Sequence, residues 1–170
     1  STALSNGTYT IQAAGNDIWG NTDQFRFASQ EIKGNTELVV RVTSLSRTDA
    51  WAKAGLMLRA SSSANAAHVS VFVTPDNGVR MQWRTALWSQ SETSGPSGGS
   101  APRWLKLKRS GNTFTSYASS DGSSWSQVHS TSVSLPETAL GGLAVTSHNA
   151  GSLTTATFTN FSINGASTGT

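Results

Sequence analysis

Apolar and polar residues alternate with a period of two along this 170-residue chain, and no window carries an apolar stripe at helical spacing. A chain patterned this way can bury only one side of each extended segment, so it must build sheets. Glu37–Thr43 sets Leu38, Val40 and Val42 against Val39, Arg41 and Thr43. Gly55–Arg59 opposes Leu56 and Leu58 to Met57 and Arg59, and His68–Thr74 opposes Val69, Val71 and Val73 to His68, Ser70 and Phe72. Pro75-Asp76-Asn77-Gly78 is a turn in which proline presets φ while Asn and Gly tolerate positive φ. Beyond it, Val79–Arg84 turns Val79, Met81 and Trp83 inward and Arg80, Gln82 and Arg84 outward, which makes this pair the strongest hairpin in the chain. The 28 serines and 21 threonines favour extended backbone and short loops over helix.

Further strands read from Tyr9–Gln12, Gln24–Phe27, Trp104–Lys108, Thr113–Ala118, Trp125–Ser130, Val133–Leu135, Gly142–Thr146 and Thr154–Ile163. Glu92–Ser100, rich in Ser and Gly around Pro96, reads as a loop, and Ala166–Thr170 as a frayed tail or the start of a linker. Roughly a dozen short strands at this spacing imply an all-β, two-sheet antiparallel sandwich, a single domain over residues 1–165.

The absence of Cys excludes disulfides, thiol nucleophiles and thiolate metal sites. A net charge of +3, without basic runs beyond Lys106, Lys108 and Arg109, gives no nucleic-acid footprint. Apolar stretches fall far short of the ~18 residues of a membrane-spanning helix. The polar start at Ser1 and the abundance of Ser, Thr, Asn and Gly fit a secreted, extracellular protein.

The acids and histidines are the groups that could carry chemistry. A glycosidase sets two carboxylates about 5–10 Å apart, which on one strand requires acids two or four positions apart. Here no two acids are closer than the six positions separating Asp17 from Asp23 or Glu31 from Glu37. His68, His129 and His148 have no companions at metal-ligand spacing, so neither catalytic residues nor a transition-metal site are expected. No cofactor is required. Asp17 with Asp23, or Asp49 with Asp76, could supply oxygens to a structural calcium, although acids in turns serve first as turn formers.

The outward face of the middle strands remains. If the phase holds, Arg41, Arg59, His68, Ser70, Arg80, Gln82 and Arg84 share one sheet surface, where forked donors suit sugar hydroxyls and carboxylates. A solvated face needs no arginine, so binding is the preferred reading. Among six tryptophans, Trp83 and Trp125 read as core, Trp104 as ambiguous, and Trp19 as equally a cap or a ligand contact. Trp51 and Trp88, in loop-like sequence at the ends of the arginine-bearing strands, are the candidates to stack on sugar rings.

Several sequence words occur here together: Asp17-Ile-Trp-Gly with Asp23-Gln-Phe-Arg-Phe, Trp51-Ala-Lys-Ala-Gly-Leu-Met-Leu-Arg59, and Val73-Thr-Pro-Asp-Asn-Gly-Val79. They are joined by Trp104-Leu-Lys-Leu-Lys-Arg-Ser-Gly-Asn-Thr-Phe114, Ser120-Asp-Gly-Ser-Ser-Trp125 and Gly142-Leu-Ala-Val-Thr-Ser-His-Asn149. Across nearly the whole chain, Gly7 to Ile163, this set resembles the concanavalin A-like jelly-roll modules appended to secreted bacterial polysaccharide-degrading enzymes. The resemblance implies a non-catalytic carbohydrate-binding module tethered to a glycoside hydrolase or polysaccharide lyase in the same polypeptide; a monomer is expected, with a polysaccharide ligand and neither nucleic acid nor membrane as partner. Two departures, Ala60 after the Leu-Arg word and Thr159-Asn160-Phe161 near the end, remove carboxylates that relatives often carry; they weaken a carried-over calcium site. With the arginine surplus they favour an acidic or acid-decorated glycan. The site expected is Arg59, His68, Arg80, Gln82 and Arg84, with Trp51 and Trp88 at its ends. The competing classes are a small polysaccharide lyase or hydrolase, and a protein-interaction module.

Overall fold

The computed structural model describes residues 1–168, apart from the side chains of residues 96 and 97; these residues form strands and turns, with no helix. In chain order the strands are β1 (Thr2–Ser5), β2 (Thr8–Ala13), β3 (Ile18–Trp19), β4 (Thr22–Asp23), β5 (Arg26–Lys33) and β6 (Thr36–Leu45). They continue as β7 (Lys53–Arg59), β8 (His68–Val73), β9 (Val79–Arg84), β10 (Glu92–Ser97) and β11 (Arg103–Ser110). The last are β12 (Thr113–Ser119), β13 (Ser126–Ser132), β14 (Thr138–Thr146), β15 (Thr154–Ile163) and β16 (Ala166–Ser167).

Two antiparallel sheets face each other as a jelly-roll sandwich. The larger runs β1-β2-β15-β6-β11-β12-β13, with β16 added to β15, and the smaller runs β10-β9-β8-β7-β14-β5. The alternating apolar residues meet between them: Leu38, Val40 and Val42 from β6 and Leu105 and Leu107 from β11 pack against Leu56, Leu58, Val69, Val71, Met81 and Leu143. Fully burying each such side chain stabilises the fold by roughly 1.5–3 kcal/mol relative to leaving it exposed. The hairpin expected at Pro75–Gly78 joins β8 to β9, with Gly78 at φ +70° and the Thr74 hydroxyl donating to the Gly78 carbonyl at 2.8 Å.

Four segments differ from the expectation, one of them Val133–Leu135, which belongs to no strand: it links β13 to β14, its Val133 N–H donating to the Asn112 carbonyl at 3.0 Å while Val133 and Leu135 are buried in the core. Glu92–Ser97 is a strand, because β9 offers an unpaired edge that a Ser/Thr-rich segment can satisfy: Glu92 pairs with Trp83 and Thr93 with Gln82. The tail is not frayed through Ser167. Asn164 and Gly165, at φ +52° and +81°, make a tight reversal that returns β16 to β15, and Tyr9 donates its hydroxyl to Thr168 Oγ1 at 3.1 Å. Residues 169 and 170 of the expected tail lie outside the described residues. Thr2–Ser5 forms β1 by the same device, with Asn6 and Gly7 at φ +49° and +76°.

The feature that shapes the functional face is the short hairpin β3–β4. It is a two-stranded ribbon laid across the outer face of the smaller sheet. Ile18 inserts there among Met57, Phe72 and Ala144, flanked by Phe25 and Phe27. As a result β7 and β8 are buried along both faces, not only toward the main core.

Candidate functional site

The strand phase holds for the smaller sheet: Arg59, His68, Ser70, Gln82 and Arg84 all project from its outer face. Cross-strand partners are Arg59 with His68 and His68 with Arg84. Arg41 does not join them. Its strand, β6, belongs to the larger sheet, where Arg41 pairs with Trp104 on one side and Thr159 on the other. Period two fixes the side of a strand, but not the sheet to which it belongs.

Half of that outer face is sealed. Asp23, at the end of β4, drops onto it, and its carboxylate is fully buried. Arg59 donates to Asp23 Oδ2 at 2.7 Å, and Arg84 donates to Oδ2 at 2.7 Å and to Oδ1 at 2.8 Å, a two-point grip. Arg84 also donates to the carbonyls of Ala66, Ser89 and Gly20, and Arg59 to that of Ser63. Burial alone would raise the Asp23 pKa; the hydrogen bonds from Arg84 and Arg59 reverse that and hold the carboxyl below its usual range. His68, wholly buried, shares Nδ1 with Ser70 Oγ at 2.8 Å, while its Nε2 faces Asp23 Oδ2 at 4.0 Å without a hydrogen bond. Burial, reinforced by the two arginines, pushes the His68 pKa down to about 3, so the ring is neutral at ordinary pH. Arg59, His68 and Arg84 therefore cannot touch a glycan. They hold β3–β4 and the neighbouring loops in place, a role that the single acid Asp23 imposes on them.

The other half of the face is open. A cleft of about 480 Å³ lies beside the hairpin, walled by Trp19 from β3 and by Trp51 from the turn before β7. Its floor is Gln82 with Thr93 from β10. Gln82 is 2% exposed, and its Oε1 has no hydrogen-bond partner among the described residues. A buried acceptor left unpaired costs about 1–3 kcal/mol, so this amide invites a donor from a ligand or water. Lys53 Nζ is ion-paired with Asp17 Oδ1 at the cleft wall; burial lowers the lysine pKa against the opposing pull of that carboxylate. On the rim, His148 sits between two acids, with Nε2 3.1 Å from Asp17 Oδ2. Its Nδ1 is 3.0 Å from Asp49 Oδ1, a proximity without hydrogen-bond geometry. Arg80 sets its guanidinium 4.9 Å from the Trp51 ring centre and donates to the Asn77 carbonyl at 3.0 Å, a cation–π contact that steadies the indole.

Of the expected site, Trp51 and Gln82 line the cleft and Arg80 supports Trp51. Trp88 lies on the β9–β10 loop, 62% exposed, outside the lining of the cleft. The sequence left Trp19 equally a cap or a ligand contact, and gave no sign of the roles of Lys53, Thr93, Asp17 and His148 in the cleft. Trp19-Gly20 lies between Ile18 and Asp23, and recognising that segment as a hairpin would have placed its indole over the sheet. Trp125 is not core either: its ring lies 4.2 Å from Lys106 Nζ on the outer face of the larger sheet, where alternation sends Trp104 and Lys106 together.

The residues do not fit a structural calcium. Of the four acids expected to supply oxygens, Asp23 is held by two guanidinium groups, Asp17 by Lys53 and Asp76 by Arg47, while Asp49 accepts the Trp51 N–H at 2.8 Å. Among the described residues no three acids or histidines converge on a metal site.

No protein-family model and no curated protein sequence matches the chain. Solved structures do share its fold. A functionally unknown protein from Saccharomyces cerevisiae is 19% identical with a TM-score of 0.77, over 96% of this chain and 90% of that one. The GH43 protein BlXynB from Bacillus licheniformis is 17% identical with a TM-score of 0.68; the match covers 96% of this chain but 34% of BlXynB. The carbohydrate-binding module CBM66 from Bacillus subtilis is 16% identical with a TM-score of 0.57, over 95% and 96% of the two chains. At these identities the likeness establishes the fold, an all-β antiparallel jelly-roll sandwich.

Proposed function

We propose that the chain is a non-catalytic carbohydrate-binding module, secreted and monomeric, that carries a glycoside hydrolase or polysaccharide lyase in the same polypeptide to its polysaccharide. The observation that carries this reading is the cleft itself. Two indoles form its walls, and an amide with an unpaired acceptor forms its floor. Such a site offers stacking area for the C–H face of a pyranose and a partner for its hydroxyls. The Asp17 carboxylate is tied to Lys53 and His148, which supports binding without bond cleavage. The resemblance to CBM66 over 95% of this chain and 96% of that one, and to about one third of BlXynB, supports a module of this size beside an enzyme.

The preference for an acidic glycan loses most of its basis, because Arg59 and Arg84 are neutralised beneath the hairpin and Lys53 is paired, which leaves Arg80, set against the Trp51 ring and the Asn77 carbonyl. The ligand of this cleft is a neutral glycan. A retardation gel with xylan, β-mannan and polygalacturonate tests this. Retention by a neutral polymer that persists in 0.5 M salt (roughly a 4–5 Å screening length) is expected, and Trp51→Ala should weaken it about tenfold. Retention only by polygalacturonate, abolished by salt, would refute the neutral reading. Release of reducing ends from any of the three polymers would replace the module by an enzyme.

A further inference from the structure

Trp88 is held in a conformation that no packing requirement explains. Its backbone is left-handed, at φ +65°, a region that costs an L-residue energy, yet its side chain is 62% exposed beside Leu87 at 59%. Burial returns little for that strain. The loop is nonetheless fixed: the Trp88 N–H donates to the Asn65 carbonyl at 3.1 Å, Arg84 Nε donates to the Ser89 carbonyl at 3.0 Å, and Ser91 N–H donates to the Gly20 carbonyl at 2.7 Å. A rigid loop that presents an indole to solvent is a platform. Its distance from the cleft is short, because one guanidinium spans both: Arg84 Nη2 donates to the Trp19 carbonyl at 3.3 Å while its Nε holds Ser89. The Trp19 backbone and the Trp88 loop thus meet at one guanidinium, while the Trp19 ring lines the cleft together with Trp51.

From this we infer an outer subsite at Trp88, on which a neutral glycan chain leaving the cleft over Trp19 stacks a further sugar. This rests on the cleft as a glycan site and adds the ligand class: an extended oligosaccharide rather than a single terminal sugar. Neutrality follows from the surroundings, since residues 85–91 and 61–67, the loops that flank the platform, contain no ionisable side chain. Aromatic stacking on an exposed site gives a gain of a few-fold to tenfold in affinity, which is the size of effect sought.

The test titrates wild type, Trp88→Gly and Trp51→Ala with xylose through xylohexaose and mannose through mannohexaose. Glycine accepts the left-handed backbone, so the Trp88→Gly protein should melt no lower than wild type, which removes misfolding as an explanation. Wild-type affinity should rise beyond the disaccharide by about three- to tenfold, and Trp88→Gly should bind the short sugars as wild type does while losing that rise. Trp51→Ala should lose affinity at every length. Equal hexasaccharide affinity in wild type and Trp88→Gly, or no rise with length, overturns the outer subsite and leaves the cleft standing. Failure of wild type to bind either series, or binding untouched by Trp51→Ala, counts against the cleft and the platform together. Retention of wild type, but not Trp88→Gly, on phosphatidylcholine vesicles would assign the tip to a membrane surface and likewise overturn the subsite.

Discussion

The two halves of the smaller sheet's outer face are built from similar residue types and have opposite fates. Toward Arg59, His68 and Arg84, the face is closed by Asp23 and every guanidinium is engaged. Toward Gln82 and Trp51, the hairpin borders the face through Trp19 without sealing it, and an amide stays unpaired beside two indoles. Strand phase places both sets on one side. Which half meets solvent is decided by one acid on a two-residue strand that crosses from elsewhere in the chain. The general point is physical: a charged side chain on an exposed-looking face is free only if no opposite charge is delivered to it, because a buried pair that is well bonded holds far more tightly than either group holds a ligand in water.

The largest expected effect breaks the sealed half. Asp23→Asn leaves two buried guanidinium groups facing a neutral amide, and loss of one partner of such a buried cluster costs about 3–5 kcal/mol. Urea denaturation should show the midpoint falling accordingly, with β3–β4 the first element to lose hydrogen-exchange protection, since Asp23 is what fastens it. A midpoint within 1 kcal/mol of wild type (roughly the value of an exposed pair) would mean that Ile18 packing, not Asp23, holds the hairpin.

A second expected effect uses pH on the same half. The folded pKa of His68 lies at about 3 against an unfolded value near 6.5, so between those limits the unfolded chain binds a proton that the folded chain refuses. Stability is therefore full above pH 6.5 and declines as pH falls, by about 2 kcal/mol between pH 7.5 and pH 5. Asp23 does not contribute in that window. Its depressed pKa acts as pH falls through about 3.8, where the unfolded carboxyl is half protonated and the folded one still ionised. His68→Gln should flatten the dependence between pH 7.5 and 5 whatever it does to absolute stability. An unchanged slope would remove the ring as its source.

Much of this fold was legible in advance, and the limits were local. Alternation fixed the inward set Leu56, Val69, Val71 and Met81 and the outward set Arg59, Gln82 and Arg84, because a one-residue slip would have reversed both. The Asn-Gly words at 6–7 and 164–165 carried the signal for β1 and β16, but the runs beside them are too polar for an alternation test to register. β10 was hidden for a different reason. A Ser/Thr/Gly segment becomes a strand only when a neighbour supplies the ladder, and β9 does so from a distance the composition cannot express. For the site, Trp51 and Gln82 were legible from position and phase. The seal was not, since the contact between Asp23 and Arg84 spans 61 positions and no periodicity links them.

The smallest expected change in stability sharpens the contrast most. Gln82 sits two residues from Arg84 on the same strand and the same face, and it is nearly as buried. Removing its polarity should nonetheless do what removing Asp23 cannot. In Gln82→Met a flexible apolar chain of similar volume replaces an amide whose Oε1 has no partner, so the desolvation penalty of that acceptor disappears. The variant should unfold at the wild-type denaturant concentration or slightly above it, within about 1 kcal/mol. Its retardation by the neutral polymer should weaken several-fold, because the hydroxyl that would have paired with the amide then meets a thioether. Loss of stability without loss of binding would invert the assignment: the amide would belong to the fold, as Arg84 does, and the open half of the face would have to bind through its two indoles alone.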